Sequence, residues 1–173
     1  IGVAPHSLRA IAPEDLVHHA RLAGDTPLHM HLAEQIAEVE EIEAAHGKRP
    51  VELVLDTMEL NERHCFIHCT QMLSHETEGL AKSGAVAGLC PITESSLGDG
   101  IFDGVRWLEN GGAIAVGSDS NIRISLSEEL RTLDYSQRLR DHSRAALATP
   151  DKSTGRRLFD AINAGGASVS ARN

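Results

Sequence analysis

Three short segments of this chain carry side chains that could bind a metal ion and move protons. They are His31-Leu32-Ala33-Glu34, the single His68, and Gly117-Ser118-Asp119-Ser120. Neutral imidazoles and carboxylates are ordinary ligands of zinc-type ions, and a catalytic site of this kind keeps one position open for water. Because a bound divalent ion lowers the pKa of its water to about 7, this residue set would suit attack of activated water on a carbon–nitrogen bond.

The same residue types also have ordinary structural explanations. A lone strand histidine such as His31 or His68 is more often a hydrogen-bonded core residue than a ligand, and Asp119 lies in a sequence with turn or cap chemistry. A carboxylate at a buried strand end nevertheless needs a partner, since burying a bare charge is costly. Glu34, three residues after His31, is also well placed to shuttle a proton. Together these residues favour metal-dependent hydrolysis.

The elements that must position these side chains are short strands separated by helices. Five apolar runs, rich in small or branched residues, are typical of strands buried on both faces: residues 1–4, 28–32, 65–68, 85–90 and 113–116. Helical patterns fill the intervals. They begin at Pro13, Glu34, Pro50, Ser74, Val105 and Ser125, with a last piece at 159–164. Ser125 and Glu128 predict a capping box for a long helix that ends near residue 147.

Alternating strands and helices predict a parallel α/β fold, either an open doubly wound sheet or a closed barrel. Polar residues follow nearly every predicted strand, including His6, Thr93 and Glu94. A ring of such residues is typical of the barrel, whose eight strands take ~250 residues. We therefore expect a (β/α)8 TIM-barrel type fold, present as a partial barrel with about strands 4–8, in one domain over residues 1–173.

The composition and net charge of the chain argue against some classes of binding partner. The chain has 173 residues, is 41% hydrophobic and 24% charged, and carries a net charge of −9 without a basic cluster. Nucleic acid and anionic membranes are therefore poor partners, and no apolar stretch approaches the ~20 residues of a membrane span. Cys65, Cys69 and Cys90 are odd in number, which predicts reduced, buried thiols in a cytoplasmic protein.

Two further sets of residues are predicted to lie on the surface. The acidic run on the second helix is interpreted as a solvated face, and several histidines in helices or loops are interpreted as surface residues. The acids are Glu38, Glu40, Glu41 and Glu43, and the histidines are His18, His19, His46, His64, His75 and His142.

Several segments resemble the amidohydrolase superfamily, in its aminohydrolase branch. They are His-Met-His-Leu-Ala-Glu-Gln at 29–35, His-Cys-Thr at 68–70 and Gly-Ser-Asp-Ser at 117–120. Within this branch, segments 3–9, 90–100, 121–123 and 134–140 are similar to the family of formimidoylglutamate deiminases. Cys-Pro-Ile-Thr-Glu at 90–94 and Tyr-Ser-Gln-Arg at 135–138 are the more discriminating of these.

This resemblance implies one catalytic divalent metal, with zinc as the first expectation, and a small-molecule substrate, N-formimino-L-glutamate. Water would convert it to N-formyl-L-glutamate and ammonia, a step of histidine degradation. The implied roles are metal ligand for His31, proton shuttle for Glu34, stabiliser of the water or intermediate for His68, and metal ligand and base for Asp119. His6 and Arg9 would recognise substrate, and Arg123 is our addition to that group, because arginine holds carboxylates bidentately.

The chain departs from the family pattern because the His-x-His pair of the first barrel strand and the small β-sandwich are missing. Two alternatives therefore stay open. One is another aminohydrolase that acts on a purine, pterin or nucleoside-like ring, although only 3% of the residues are aromatic. The other is a truncated, inactive chain that only self-associates, since open sheet edges favour association. A homo-oligomer is expected in either case.

Overall fold

The computed structural model describes residues 1–172. Four strands form one parallel sheet in the order β1-β2-β3-β4: β1 (Leu28–Leu32), β2 (His64–His68), β3 (Val86–Leu89) and β4 (Ala113–Val116). A doubly wound sheet reverses its strand order at a switch point, whereas a barrel adds each strand next to the previous one. The strictly sequential order therefore matches one sector of a barrel.

Helices connect the strands and follow the last one. They are α1 (Leu16–Ala23), α2 (Ile36–His46), α3 (Pro50–Thr57), α4 (Ser74–Lys82), α5 (Pro91–Leu97), α6 (Gly104–Glu109), α7 (Leu126–Asp141) and α8 (Thr154–Val169), and a 3-10 turn at Pro13–Asp15 leads into α1. Within residues 1–172, none of these helices has the length and apolar character needed to cross a membrane.

Local signals explain several helix boundaries. Pro50 and Pro91 each occupy the first position of a helix, where the missing N–H costs nothing. Gly47 and Gly98 end α2 and α5 with φ angles of 70° and 73°, a left-handed conformation that glycine adopts without a steric penalty. These glycines and prolines therefore set where α2, α3 and α5 begin or end.

The two faces of the sheet pack differently. The helix-covered face contributes Met30, Phe66, Ala87 and Ile114 to the main core, together with Trp107 from α6. The opposite face carries a small second cluster formed by Cys65, Val86, Ala115 and the end of α8 at Val169. His29 is fixed on this second side, since its Nε2 donates to the carbonyl oxygen of Val169 at 2.9 Å.

The predicted first strand is wrong as an extended element. Residues 1–4 form only an isolated parallel bridge between Val3 and Leu28. Two hydrogen bonds hold it: Val3 N–H donates to Pro27 O, and His29 N–H donates to Val3 O. Pro5 has no N–H to continue a ladder. The other four predicted strands are confirmed within one residue at each end.

Three helices differ from what the sequence predicts. Helix α5 was not predicted, α7 ends at Asp141 rather than near residue 147, and α8 is much longer than the predicted 159–164. The predicted capping box is wrong because Glu128 pairs with Arg123 at 2.7 Å, while the Ser125 hydroxyl lies 3.2 Å from that of Ser127. The competing ion pair removes the carboxylate from the helix end.

The predicted burial of the three cysteines is confirmed, and none of them forms a disulfide within residues 1–172. Burial raises the pKa of Cys65 to about 12 and also raises the pKa values of Cys69 and Cys90. The predicted surface position is wrong for His64, which is the first residue of β2 and only 8% exposed. Its burial lowers the pKa of the imidazole.

Candidate active site

The carboxyl ends of the strands carry residues with an unusual backbone. Ala33, His68, Cys69 and Asp119 have φ angles of 49°, 73°, 54° and 50°. Non-glycine residues adopt this left-handed conformation rarely, and it persists where the surrounding structure holds it. Strand alternation alone would aim His68 toward the same face as Phe66. With the left-handed backbone, the ring of His68 instead contacts the ring of His31, and the two ring centroids lie 5.6 Å apart.

His31 has the hydrogen bonding of a metal-binding histidine. Its Nδ1 lies 2.8 Å from the carbonyl oxygen of His6, and because a carbonyl only accepts, Nδ1 carries the proton. With Nδ1 protonated, Nε2 is the nitrogen left to bind a metal, and metal-bound histidines commonly have this arrangement. The ring is only partly buried and lies between those of His6 and His68. The donor chemistry of His31 thus fits a divalent metal.

Glu34 lies between a cation and an imidazole. One carboxylate oxygen accepts from Arg9 Nη2 at 2.8 Å, and the other lies 3.5 Å from His68 Nε2. The side chain is only 10% exposed. Its backbone is fixed by Glu38, whose carboxylate accepts the N–H groups of Ala33 and Glu34 at 3.1 and 2.8 Å. Glu34 is therefore held at the point where β1 ends.

His68 is enclosed by carboxylates on both ring nitrogens. Its Nδ1 lies 3.2 Å from Glu94 Oε1, and its Nε2 faces Glu34. Burial alone lowers the pKa of His68, but the hydrogen bond to Glu94 and the charges of Glu34, Glu94 and Asp119 outweigh it, so the pKa is raised. A buried imidazole between two acids can hold a proton or donate it to a developing negative charge.

Asp119 follows β4 and is exposed. Two hydrogen bonds fix the approach to it: Gly117 N–H donates to Leu89 O at 2.9 Å, and the Thr93 hydroxyl donates to Ser118 O at 3.1 Å. Its negative charge contributes to the raised pKa of His68. The role of Asp119 as a metal ligand and base stays a prediction.

The predicted substrate-binding residues separate into two groups. His6 and Arg9 join the cluster, since the ring of His6 lies 4.9 Å from that of His31 and Arg9 pairs with Glu34. Arg123 does not contact these groups within the described chain. It pairs with Glu128 and lines a cavity of about 300 Å³ between α5 and α7.

Two functional contacts escaped the sequence interpretation. Glu38 was placed on a solvated helix face, but it is only 2% exposed because its carboxylate caps the turn that carries Glu34. Its position four residues after Glu34, in the first turn of α2, was the available signal. Glu94 was noted only as a strand-end polar residue, and nothing in the sequence indicated that it would reach His68. Glu40, Glu41 and Glu43 are exposed as predicted.

Within residues 1–172, one group of three side chains places potential ligand atoms within 4.8 Å of one another: His68, Cys90 and Glu94. Burial raises the pKa of the Cys90 thiol, and His68 uses Nδ1 for Glu94. A thiolate is the metal-binding form of cysteine. His68 and the backbone N–H of Cys90 both bond to Glu94, so hydrogen bonds already tie this group together. The metal site at His31 and Asp119 stays a prediction.

Comparison with known proteins gives consistent results. A family model described as "Amidohydrolase family" matches residues 1–165. Formimidoylglutamate deiminase of Pseudomonas aeruginosa is 44% identical over 170 residues, which cover 96% of this chain and 37% of the relative. 5-Methylthioadenosine/S-adenosylhomocysteine deaminase of Halobacterium salinarum is 34% identical over 171 residues, covering 95% and 38%.

A solved structure gives the same result for the fold. The crystal structure of an amidohydrolase from Brucella melitensis superposes with a TM-score of 0.96 at 50% identity, covering 99% of this chain and 38% of that one. The expected partial TIM barrel is thereby confirmed. The chain spans well under half the length of the relatives it matches, and its sequence and its fold both place it in the amidohydrolase family.

Proposed function

We propose that the full-length protein, meaning the longest natural polypeptide that contains these residues, is a metal-dependent deiminase of N-formimino-L-glutamate. Water adds to the formimino carbon, the carbon–nitrogen bond to the terminal imino group breaks, and ammonia leaves. The products are N-formyl-L-glutamate and ammonia. The identity of 44% to a formimidoylglutamate deiminase supports this substrate over others.

The observation that carries the proposal is the row Arg9–Glu34–His68. The three groups are joined by contacts of 2.8 and 3.5 Å at the end of β1 and β2. A hydrolase of a carbon–nitrogen bond needs a group that takes a proton from water and returns it to the leaving nitrogen. Glu34 is buried, positioned by Glu38 and open to the histidine side, which suits that role.

His31 and Asp119 would hold the divalent metal, for which zinc is the first candidate. Such a metal would lower the pKa of a water molecule and so supply the nucleophile for the formimino carbon. Asp119 would accept the first proton from this water, and Glu34 would carry a proton to the departing nitrogen. His68, which has carboxylates on both sides, would donate a hydrogen bond to the negative charge that develops on the atoms attached to the attacked carbon.

Substrate recognition would fall to His6 and Arg9, which lie beside His31 and Glu34. A guanidinium matches the geometry of a substrate carboxylate, and the substrate carries two. Arg123 would contact substrate only after exchanging its Glu128 partner, so its role is the weakest of the three. We further propose a homo-oligomer in the cytoplasm, acting in histidine degradation.

Ammonia release from N-formimino-L-glutamate by the zinc-supplemented full-length protein tests this function. The Glu34→Gln variant should lose at least 10²-fold in kcat, the lower end for removal of a general acid–base group. Glu41→Gln, an exposed change on α2, should behave as wild type. Equal rates for Glu34→Gln and wild type, or no ammonia from wild type, would refute the proposal.

A second candidate is deamination of an adenosine-like ring, which the Halobacterium salinarum relative supports. A substrate panel of N-formimino-L-glutamate, S-adenosylhomocysteine and 5-methylthioadenosine separates the two. Arginine at the site favours the dicarboxylate, because neither nucleoside offers two carboxylates to bind. Preferential turnover of a nucleoside would establish the second candidate instead.

A further inference from the structure

We infer that Glu94 is a positioning residue for His68: it fixes the imidazole with its proton on Nδ1 and directs Nε2 toward Glu34 and the substrate. This inference rests on the proposed function only for its catalytic consequence. The contact itself is a property of the folded chain and can be measured without substrate.

Two contacts fix one oxygen of the Glu94 carboxylate. Oε1 accepts the N–H of Cys90 at 2.8 Å and lies 3.2 Å from His68 Nδ1. The side chains of Glu94 and His68 are 5% and 1% exposed, so water does not compete for either bond. Because a carboxylate accepts, Nδ1 is the protonated nitrogen, whichever charge the ring carries.

The backbone explains why His68 needs such a partner. It lies at φ 73° and is followed by Cys69 at φ 54°, two successive non-glycine residues in the left-handed region. Such a conformation costs roughly 1–3 kcal/mol for each residue and persists only where other contacts hold it. The ring contact with His31 orients one side of the imidazole, and Glu94 supplies a directed bond on the other.

Glu94 also has a competing structural explanation, since it accepts the backbone N–H that precedes α5. The chain offers a matched control for that explanation. Glu129, on α7, accepts the N–H of Ile92 at 2.9 Å and is buried. It therefore stabilises the same first turn of α5 without a hydrogen bond to His68. Glu94→Ala and Glu129→Ala should loosen α5 similarly and differ at the imidazole.

The test uses full-length protein with ¹⁵N-labelled histidine, and the His68 signal is assigned by its absence in His68→Gln. Wild type should show His68 protonated at Nδ1. Glu94→Gln should keep this pattern, because its amide oxygen still accepts, whereas Glu94→Ala should lose it. Glu129→Ala should match wild type. A His68 Nδ1 without a proton in wild type refutes the inference even if Glu94→Ala fails to fold.

Kinetics give the second readout. Glu94→Ala should lower kcat by about 10–100-fold, the usual effect of removing the partner that orients a catalytic imidazole, with a smaller change in KM. Glu94→Gln should recover most of that loss. Equal losses in Glu94→Ala and Glu129→Ala would assign Glu94 a purely structural role. Normal His68 spectra without ammonia release would instead refute the proposed function alone.

Discussion

The contact between α8 and β4 leaves no room for a side chain at Gly165. A Cβ placed there would lie 2.2 Å from the carbonyl oxygen of Ile114 and 2.8 Å from its carbonyl carbon. Ordinary van der Waals contact begins at 3.4 Å, so Gly165→Ala forces α8 and β4 apart by the difference, about 1.2 Å. Both groups are backbone, and neither can rotate away.

The energetic cost follows from that displacement. Overpacking a core typically costs about 1–3 kcal/mol, and a gap of 0.5–1 Å forfeits roughly a quarter to a half of the dispersion energy along the interface. Alanine recovers about 1 kcal/mol of helix propensity relative to glycine. We expect Gly165→Ala to lower the free energy of unfolding by about 2 kcal/mol. The neighbouring Gly166 has open space around its Cβ position, so Gly166→Ala should raise it by roughly 0.5–1 kcal/mol.

Urea unfolding of the full-length variants, followed by circular dichroism, measures both changes, with equal slopes required for a valid comparison. Because β4 leads directly to Asp119, Gly165→Ala should also lower kcat, whereas Gly166→Ala should not. Equal shifts of the unfolding midpoint in the same direction for the two variants would refute the close helix–strand contact on which this reasoning depends.

Three further predictions concern charged groups. Burial raises the pKa of Glu129, so the folded state disfavours the charged carboxylate. The free energy of unfolding should therefore fall as pH rises from the unfolded pKa of Glu129 to its folded pKa, and Glu129→Gln should flatten that part of the stability–pH curve. Arg49→Ala should cost about 3–5 kcal/mol in urea unfolding because it leaves the buried Glu76 carboxylate unpaired, and adding Glu76→Gln should recover part of this loss. Arg9→Gln should raise the KM for N-formimino-L-glutamate by ~10-fold or more, because a charged contact to the substrate is lost. Arg21→Gln, at an exposed position of α1, is the control, and an unchanged KM for Arg9→Gln would show that Arg9 does not bind substrate.

Much of the fold could be predicted because it depends on local pattern. Apolar runs buried on both faces identify β1 to β4, and prolines and glycines mark the helix ends. Residues 1–4 have the same apolar character but form only a bridge, since strand formation also needs hydrogen-bonding partners. Helix α5 was not predicted, although Pro91 at its first position and Gly98 at its end are helix-boundary signals.

The candidate site divides in the same way. His31, Glu34, His68 and Asp119 could be chosen as candidates because they lie at or just after strand ends, and parallel strands bring their carboxyl ends to one edge of the sheet. Arg123 was grouped with them on sequence position, but in the folded chain it pairs with Glu128. Sequence spacing cannot distinguish a loop that turns toward the site from one that turns toward a neighbouring helix.

The amino-acid sequence by itself determined the four strands, seven of the eight helices, the membership in a barrel family and the residue types at the strand ends. It did so because hydrophobic periodicity and motif spacing are local properties of the chain. Only the tertiary structure decided that His68 turns toward His31 through a left-handed backbone, and that Glu38 and Glu94 are buried partners of the site. These contacts join residues from different strands and helices. Their distances depend on packing and backbone strain, which no local pattern encodes.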